Sequence, residues 1–118
     1  MLRLTSQNLN IMNKVQIIGR AGANPQIELM PNGDKLAKLS LAIHEKAFSK
    51  KSSNVHWQRV IAWGRKAELM ERYIKKGQLL HVEGKMTNKA IERNGQPMKI
   101  SEILCQNFLM INPKTPKA

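Results

Sequence analysis

Apolar and polar residues alternate with a period of two in the middle of the chain, and this pattern constrains the fold most strongly. Residues 35–45, KLAKLSLAIHE, place Leu39, Leu41 and Ile43 on one side and polar or small residues on the other. Such alternation is typical of a strand with one buried face. Residues 55–63, VHWQRVIAW, form the next predicted strand, after a polar and basic loop.

Turn signals separate further strands on the N-terminal side. Apolar and β-branched residues predict a strand in residues 13–20, NKVQIIGR, and a short strand in residues 26–30, QIELM. The sequence PNGD at residues 31–34 predicts a hairpin turn, because Asn and Gly tolerate a positive φ.

The periodicity changes to that of a helix after Gly64. In residues 65–77, RKAELMERYIKKG, the spacing predicts a helix with one apolar face. That face carries Ala67, Met70, Tyr73 and Ile74. Lys75 and Lys76 then fall in the last turn, where cations suit the helix dipole, and Gly77 ends the helix.

Two more strands are predicted after the helix, in residues 78–86 and 98–111, and Asn94-Gly95 turns the chain between them. The order is therefore three strands, the second of them split by a turn, then one helix and two strands. This order predicts an all-β fold with one helix: a closed, five-stranded antiparallel barrel with the helix between strands 3 and 4. Closure removes exposed strand edges.

The net charge of +12 is the outlying feature of the composition. In 118 residues, 20 Lys and Arg face 8 Asp and Glu. This excess points to a polyanionic partner: nucleic acid first, an anionic membrane surface second. A protein that is merely basic is the alternative. No apolar run approaches the length of a membrane span, so we expect no membrane insertion.

Both tryptophans of the chain fall in residues 55–63. On a strand, Trp57, Arg59, Ile61 and Trp63 project to the same side. Bases stack on indoles, and an arginine between two indoles can meet phosphate or stack as well. Because Ile61 shares this side, the pattern leaves two interpretations open: a stacking surface, or a core filled by the two indoles.

Enzymatic chemistry has little support in the sequence. The three histidines and Cys105 lack metal-ligand spacing, and no nucleophile lies near a credible base. We therefore expect no enzyme, no cofactor and no metal. The only cysteine, Cys105, cannot form an intramolecular disulfide; we expect it to be a small buried residue, which suits a reducing cytosol. The sequence GRAG at residues 19–22 looks like the nucleotide-clamping loop of a KH domain, but Pro25 fits poorly in the helix that would follow.

Three motifs in order carry a resemblance to a known family. They are W-x-R-V-x-x-W-G at residues 57–64, A-E-x-x-x-x-Y-x-x-K-G at residues 67–77 and V-E-G at residues 82–84. With these motifs, the chain from about Met12 to Asn112 resembles the bacterial single-stranded DNA-binding protein family. We expect residues 12–112 to form the domain, with flexible segments at residues 1–11 and 113–118.

The resemblance implies an oligonucleotide-binding barrel, or OB-fold, that wraps single-stranded DNA without sequence specificity. It also implies a homo-oligomer, usually a homotetramer, with a dimer possible; the apolar strand MNKVQIIG is a plausible edge for pairing between protomers. Trp57 and Trp63 match the stacking aromatics of the family. The remaining positions predicted to contact nucleic acid are Lys14, Phe48, Lys50, Lys51, Arg59, Arg65, Lys76, Lys85 and Lys89.

The chain departs from the family pattern at three places. Alanine occupies position 47, where an aromatic is common, and Phe48 next to it can substitute. Ile91 replaces another aromatic. No acid follows Glu102, so we do not expect docking of repair proteins through an acidic tail. These departures suggest fewer stacked bases and a larger share of affinity from charge.

The resemblance predicts protection of single strands in replication, repair or recombination, in the bacterial cytoplasm at the nucleoid. A mitochondrial protein is the less expected alternative. Two other functions stay open: an RNA-binding barrel of the cold-shock type, and a protein-interaction module with reduced nucleic-acid binding.

Overall fold

The computed structural model describes residues 12–46 and 53–112. Six strands and one helix form in this part of the chain. They are β1 (Val15–Ala21), β2 (Gln26–Leu29), β3 (Lys35–Lys46), β4 (Ser53–Trp63), α1 (Arg65–Tyr73), β5 (Leu79–Arg93) and β6 (Gln96–Ile111).

Five of the strands close into a barrel. The ring of neighbours runs from β1 through β5, β6, β4 and β3, and it returns to β1 where Arg20 pairs with Ala42 and Ala21 with Leu41. The short β2 lies beside β3, outside this ring. Closure leaves few free edges, as expected for a small β protein.

The pairing of β4 with β6 is parallel, in contrast to the all-antiparallel sheet that was predicted. All other pairs are antiparallel in the described part of the chain. The prediction was wrong for a topological reason. In a closed ring with an odd number of strands, direction cannot alternate at every step, so at least one pair must be parallel.

The turns form where the sequence predicted them. At Gly33, φ is +94°, and the N–H of Met30 donates to the carbonyl oxygen of Asp34 at 2.7 Å. Asn94 and Gly95 have φ of +55° and +77°, as a two-residue hairpin turn between β5 and β6 requires. Because the first of these turns makes β2 and β3 separate strands, the helix follows the fourth strand instead of the third.

Helix α1 ends earlier than predicted. Met70 and Ile74 are fully buried, but Tyr73, which was expected on the same face, is 49% exposed. Tyr73 lies six residues after Ala67, about 120° around the helix axis from it, and so at the edge of the apolar face. The helix stops at Tyr73, and Ile74 adopts extended backbone with its side chain in the core. Lys75 and Lys76 therefore lie beyond the helix, in the turn leading to β5, and not in its last turn.

The barrel interior is filled by apolar side chains from every strand of the ring and from α1. The largest fully buried residues are Leu41, Val60, Met70, Ile74, Leu80, Val82 and Ile103. Cys105 is also buried, as predicted. No helix in the described residues is long and apolar enough to cross a membrane.

Candidate nucleic-acid interface

The two tryptophans lie on the outside of the barrel. Trp57 is 62% exposed and Trp63 is 44% exposed, whereas Val60 and Ala62, on the opposite side of β4, are fully buried. The strand therefore alternates as predicted, and of the two interpretations left open by the sequence the surface one holds. Two exposed indoles forgo the hydrophobic stabilisation that burial in the core would provide. Because they are exposed, these rings are accessible to another molecule.

Cross-strand pairing assembles a continuous outer surface around Trp57 and Arg59. Residues paired directly across strands lie on the same side of a sheet. One row across β3, β4, β6 and β5 contains Ser40, Arg59, Glu102 and Thr87, and the next contains Lys38, Ile61, Leu104 and Lys85. Lys85 is thus on the same surface as the tryptophans, although it lies 28 positions after Trp57 in the chain.

A cleft of about 440 Å³ opens beside Trp57. This volume is within the range of small-ligand sites. The cleft combines an indole, a guanidinium and several amide and hydroxyl groups, which suits a flat, polar ligand. Its lining residues are Gly22, Ala23, Asn24, Gln26, Lys38, Leu39, Ser40, Trp57 and Arg59.

The connection between β1 and β2 forms one wall of the cleft and is held in place at two points. The N–H of Gly22 donates to the carbonyl oxygen of Ser40 at 2.9 Å. Oδ1 of Asn24 accepts a hydrogen bond of 2.8 Å from the backbone N–H of Lys76. The second bond brings Lys76, a predicted contact residue, next to the cleft.

Arg59 is paired with a buried carboxylate. Its Nε lies 3.6 Å from Oε2 of Glu102, and Glu102 is only 4% exposed. No hydrogen-bond donor in the described part of the chain reaches that oxygen. Arg59 is therefore the compensating charge for Glu102, and this pairing restricts where its guanidinium can go.

Lys38 and Lys89 both act on Glu28, a residue of β2. Nζ of Lys38 lies 2.8 Å from Oε2 of Glu28. The hydrogen bond and charge of Lys38 hold the pKa of Glu28 below its usual value, and the charge of Lys89 lowers this pKa further. Lys89, on the long β5–β6 hairpin, is thus close to the same surface.

The other predicted cations differ in their surroundings. Lys14 forms an ion pair with Glu83 and lowers the pKa of that carboxyl group. Arg65 is exposed at the start of α1, directly after Trp63 and Gly64. Phe48, Lys50 and Lys51 lie outside the described residues.

Several residues of this surface were not among the predicted contacts. Lys38 was visible only as a polar member of an alternating strand. Gly22, Asn24 and Gln26 reach the cleft because β2 folds back along β3. Nothing in the sequence indicated the burial of Glu102, which depends on the parallel pairing of β4 with β6.

A small closed barrel that exposes indoles and cations on one outer surface suits a polyanion whose flat groups can stack on the indoles, as the bases of a nucleic acid do. The comparisons with known proteins identify the family. A model of the single-strand binding protein family matches residues 12–111, so the chain belongs to this family. Family membership confirms the predicted resemblance and the expectation of a non-enzymatic protein.

A solved structure supports the same assignment. It is described as the Plasmodium falciparum SSB complex with ssDNA and is 28% identical to this chain, with a TM-score of 0.78. The match covers 86% of this chain and 96% of that chain. The likeness confirms the predicted OB-fold.

Proposed function

We propose that this protein binds single-stranded DNA without sequence preference and protects it during replication, repair or recombination. The observation that carries the proposal is the exposure of Trp57 beside Arg59 on the outer surface of the barrel. Family membership and the likeness to a structure described as a complex with ssDNA support it. As the place of action we propose the bacterial cytoplasm.

Stacking and charge would act together on this surface. Each base that stacks on an aromatic ring contributes ~1–3 kcal/mol, and it does so whatever the base, because every base has a π-face. Lysines and arginines around the rings would neutralise phosphates and release counterions. If about five phosphates are neutralised per protomer, the logarithm of affinity falls against the logarithm of salt concentration with a slope of about −3.5.

Assembly into a homo-oligomer is part of the proposal, with a homotetramer as the first choice and a dimer as the second. In β1, Val15 to Arg20 pair with β5, while only Arg20 and Ala21 pair with β3. Along Val15–Gly19, β1 therefore has a second edge with no partner among the described residues. Beside this edge, Ile18 is 52% exposed and lies in one row with His81 and Leu109. Such an apolar, half-paired edge suits pairing with a second copy.

Titration of tryptophan fluorescence with oligo-dT at several salt concentrations tests the proposed function. We expect quenching of the indoles, the slope given above, and little change when mixed-sequence DNA replaces oligo-dT. Competition with an RNA of matched length separates this function from that of a cold-shock type protein. Absence of quenching and of binding at moderate salt would instead favour a protein-interaction module.

A further inference from the structure

Gly22 lies directly against the indole of Trp57. A Cβ atom added at Gly22 would lie 2.6 Å from Cζ3 and 3.0 Å from Cη2 of the ring. Carbon atoms in ordinary contact are about 3.5–4.0 Å apart. A side chain at position 22 is therefore incompatible with the present position of the ring, which would have to move by about 1 Å.

The backbone of Gly22 is fixed, so the glycine cannot easily yield. Its N–H donates to the carbonyl oxygen of Ser40 at 2.9 Å, and the preceding Ala21 is buried and paired with Leu41 in β3. Gly22 does not have the left-handed φ that would itself require glycine. The constraint on this position is thus the contact with Trp57, and not the shape of the backbone.

The contact also shapes the cleft, since Gly22, Trp57 and Arg59 are all part of its lining. We propose that Gly22 is a positioning residue for Trp57: it seats the indole against the β1–β2 connection and so keeps the adjoining cleft open for one unpaired nucleobase. Gly22 itself need not touch the base. The identity of the ligand rests on the proposed DNA binding, whereas the seating of the ring does not.

The seating is tested without DNA. Trp63→Phe leaves Trp57 as the only tryptophan, because the chain has two. In this background we expect Gly22→Ala to shift the emission of Trp57 to longer wavelength and to increase its quenching by acrylamide, because the ring loses its contact with the backbone. Unchanged emission and quenching would overturn the proposal, whether or not the protein binds DNA.

The effect on binding is tested with labelled oligo-dT in an anisotropy titration. Loss of a whole stacking ring weakens binding roughly 5- to 150-fold, so a displaced ring is expected to cost about three- to tenfold. Phenylalanine lacks the two ring atoms that meet position 22. Adding Gly22→Ala to Trp57→Phe should therefore cost little, and this double-mutant cycle isolates the contact.

Two further variants distinguish the effect of the Gly22–Trp57 contact from an unspecific loss of stability or affinity. Gly33→Ala adds the same methyl group in the β2–β3 turn, outside the lining of the cleft, where a Cβ atom would meet nothing within 4 Å. It should leave affinity unchanged. An equal loss from Gly22→Ala with and without Trp57→Phe, or an equal loss from Gly33→Ala, would contradict the proposal. If Gly22→Ala does not fold, the double variant with Trp57→Phe should fold, and its failure would count against the contact. A wild-type protein that binds no oligo-dT would refute the proposed function, and the fluorescence experiment would still decide the seating.

Discussion

Arg59 lies over Glu102, and the guanidinium is the charge that compensates a buried carboxylate at the centre of the candidate interface. The Nε–Oε2 distance is 3.6 Å, and the carboxylate oxygen has no hydrogen-bond donor in the described part of the chain. A buried charge that loses its partner is strongly destabilising. Arg59 thus has two tasks, one in stability and one in the proposed binding of phosphate.

We predict that Arg59→Met lowers the free energy of unfolding by about 1–3 kcal/mol, less than for a fully buried pair because the arginine is partly exposed. Urea denaturation measures this loss. Adding Glu102→Gln should restore most of the stability, since no buried charge then remains. An Arg59→Met variant as stable as the double variant would show that the pair does not contribute.

Replacement of Trp57 by alanine is expected to separate binding from stability. We predict that Trp57→Ala weakens oligo-dT binding by ~1–3 kcal/mol without creating a base preference. The ring is mostly exposed, so the urea midpoint should change little. Val60→Ala is the matched control on the other side of β4: it should lower stability and leave the affinity of the folded protein intact. Unchanged affinity in Trp57→Ala would remove this ring from the site.

The alternation of β4 shows what the sequence could reveal. Period two predicted that Trp57 and Trp63 share one side of β4, but it left open whether that side faces the core or solvent. The structure places Val60 and Ala62 inside and the two tryptophans outside. The turns at Gly33 and Asn94-Gly95 were equally predictable, because a positive φ restricts residue choice locally. Such features depend on neighbours in the chain.

Other features depend on partners that are distant in the sequence. The burial of Glu102 follows from the parallel pairing of β4 with β6. The contact of Gly22 with Trp57 follows from two pairings, that of the end of β1 with β3 and that of β3 with β4. No local pattern encodes these contacts.

Lysines that are already paired should contribute less to the salt dependence of binding than free ones. Lys85 is exposed on the tryptophan surface, whereas Lys14 is paired with Glu83, whose pKa it lowers. We predict that Lys85→Gln makes the slope less negative by about 0.7, the value for one phosphate on a single strand. The double variant Lys14→Gln/Glu83→Gln removes an ion pair without changing net charge, and its slope should match wild type. Equal slope changes in both variants would contradict this assignment.

The edge of β1 can be tested by adding a charge to it. We predict that Ile18→Glu converts the assembly to monomers at micromolar concentration in analytical ultracentrifugation, because the glutamate would be buried without a partner in the interface. Leu29→Glu is the control: it adds the same charge at an exposed leucine on β2, far from this edge in the sheet order, and should leave the assembly intact. Wild type that sediments only as a monomer would reject the proposed oligomer.

Burial of Cys105 predicts a loss of stability at high pH. Burial raises the pKa of its thiol from 9.0 to about 11. The folded state therefore keeps the proton between these values while the unfolded state releases it, so the contribution of the thiol is complete below pH 9 and is lost as the pH rises toward 11. Cys105→Ala lacks this contribution but shares every other titrating group. We expect the difference in unfolding free energy between wild type and Cys105→Ala to shrink by about 2 kcal/mol from about pH 8 to about pH 10.5, measured by urea denaturation. A difference that is the same at both pH values would show that the thiol titrates alike in the folded and unfolded states, as an exposed thiol would.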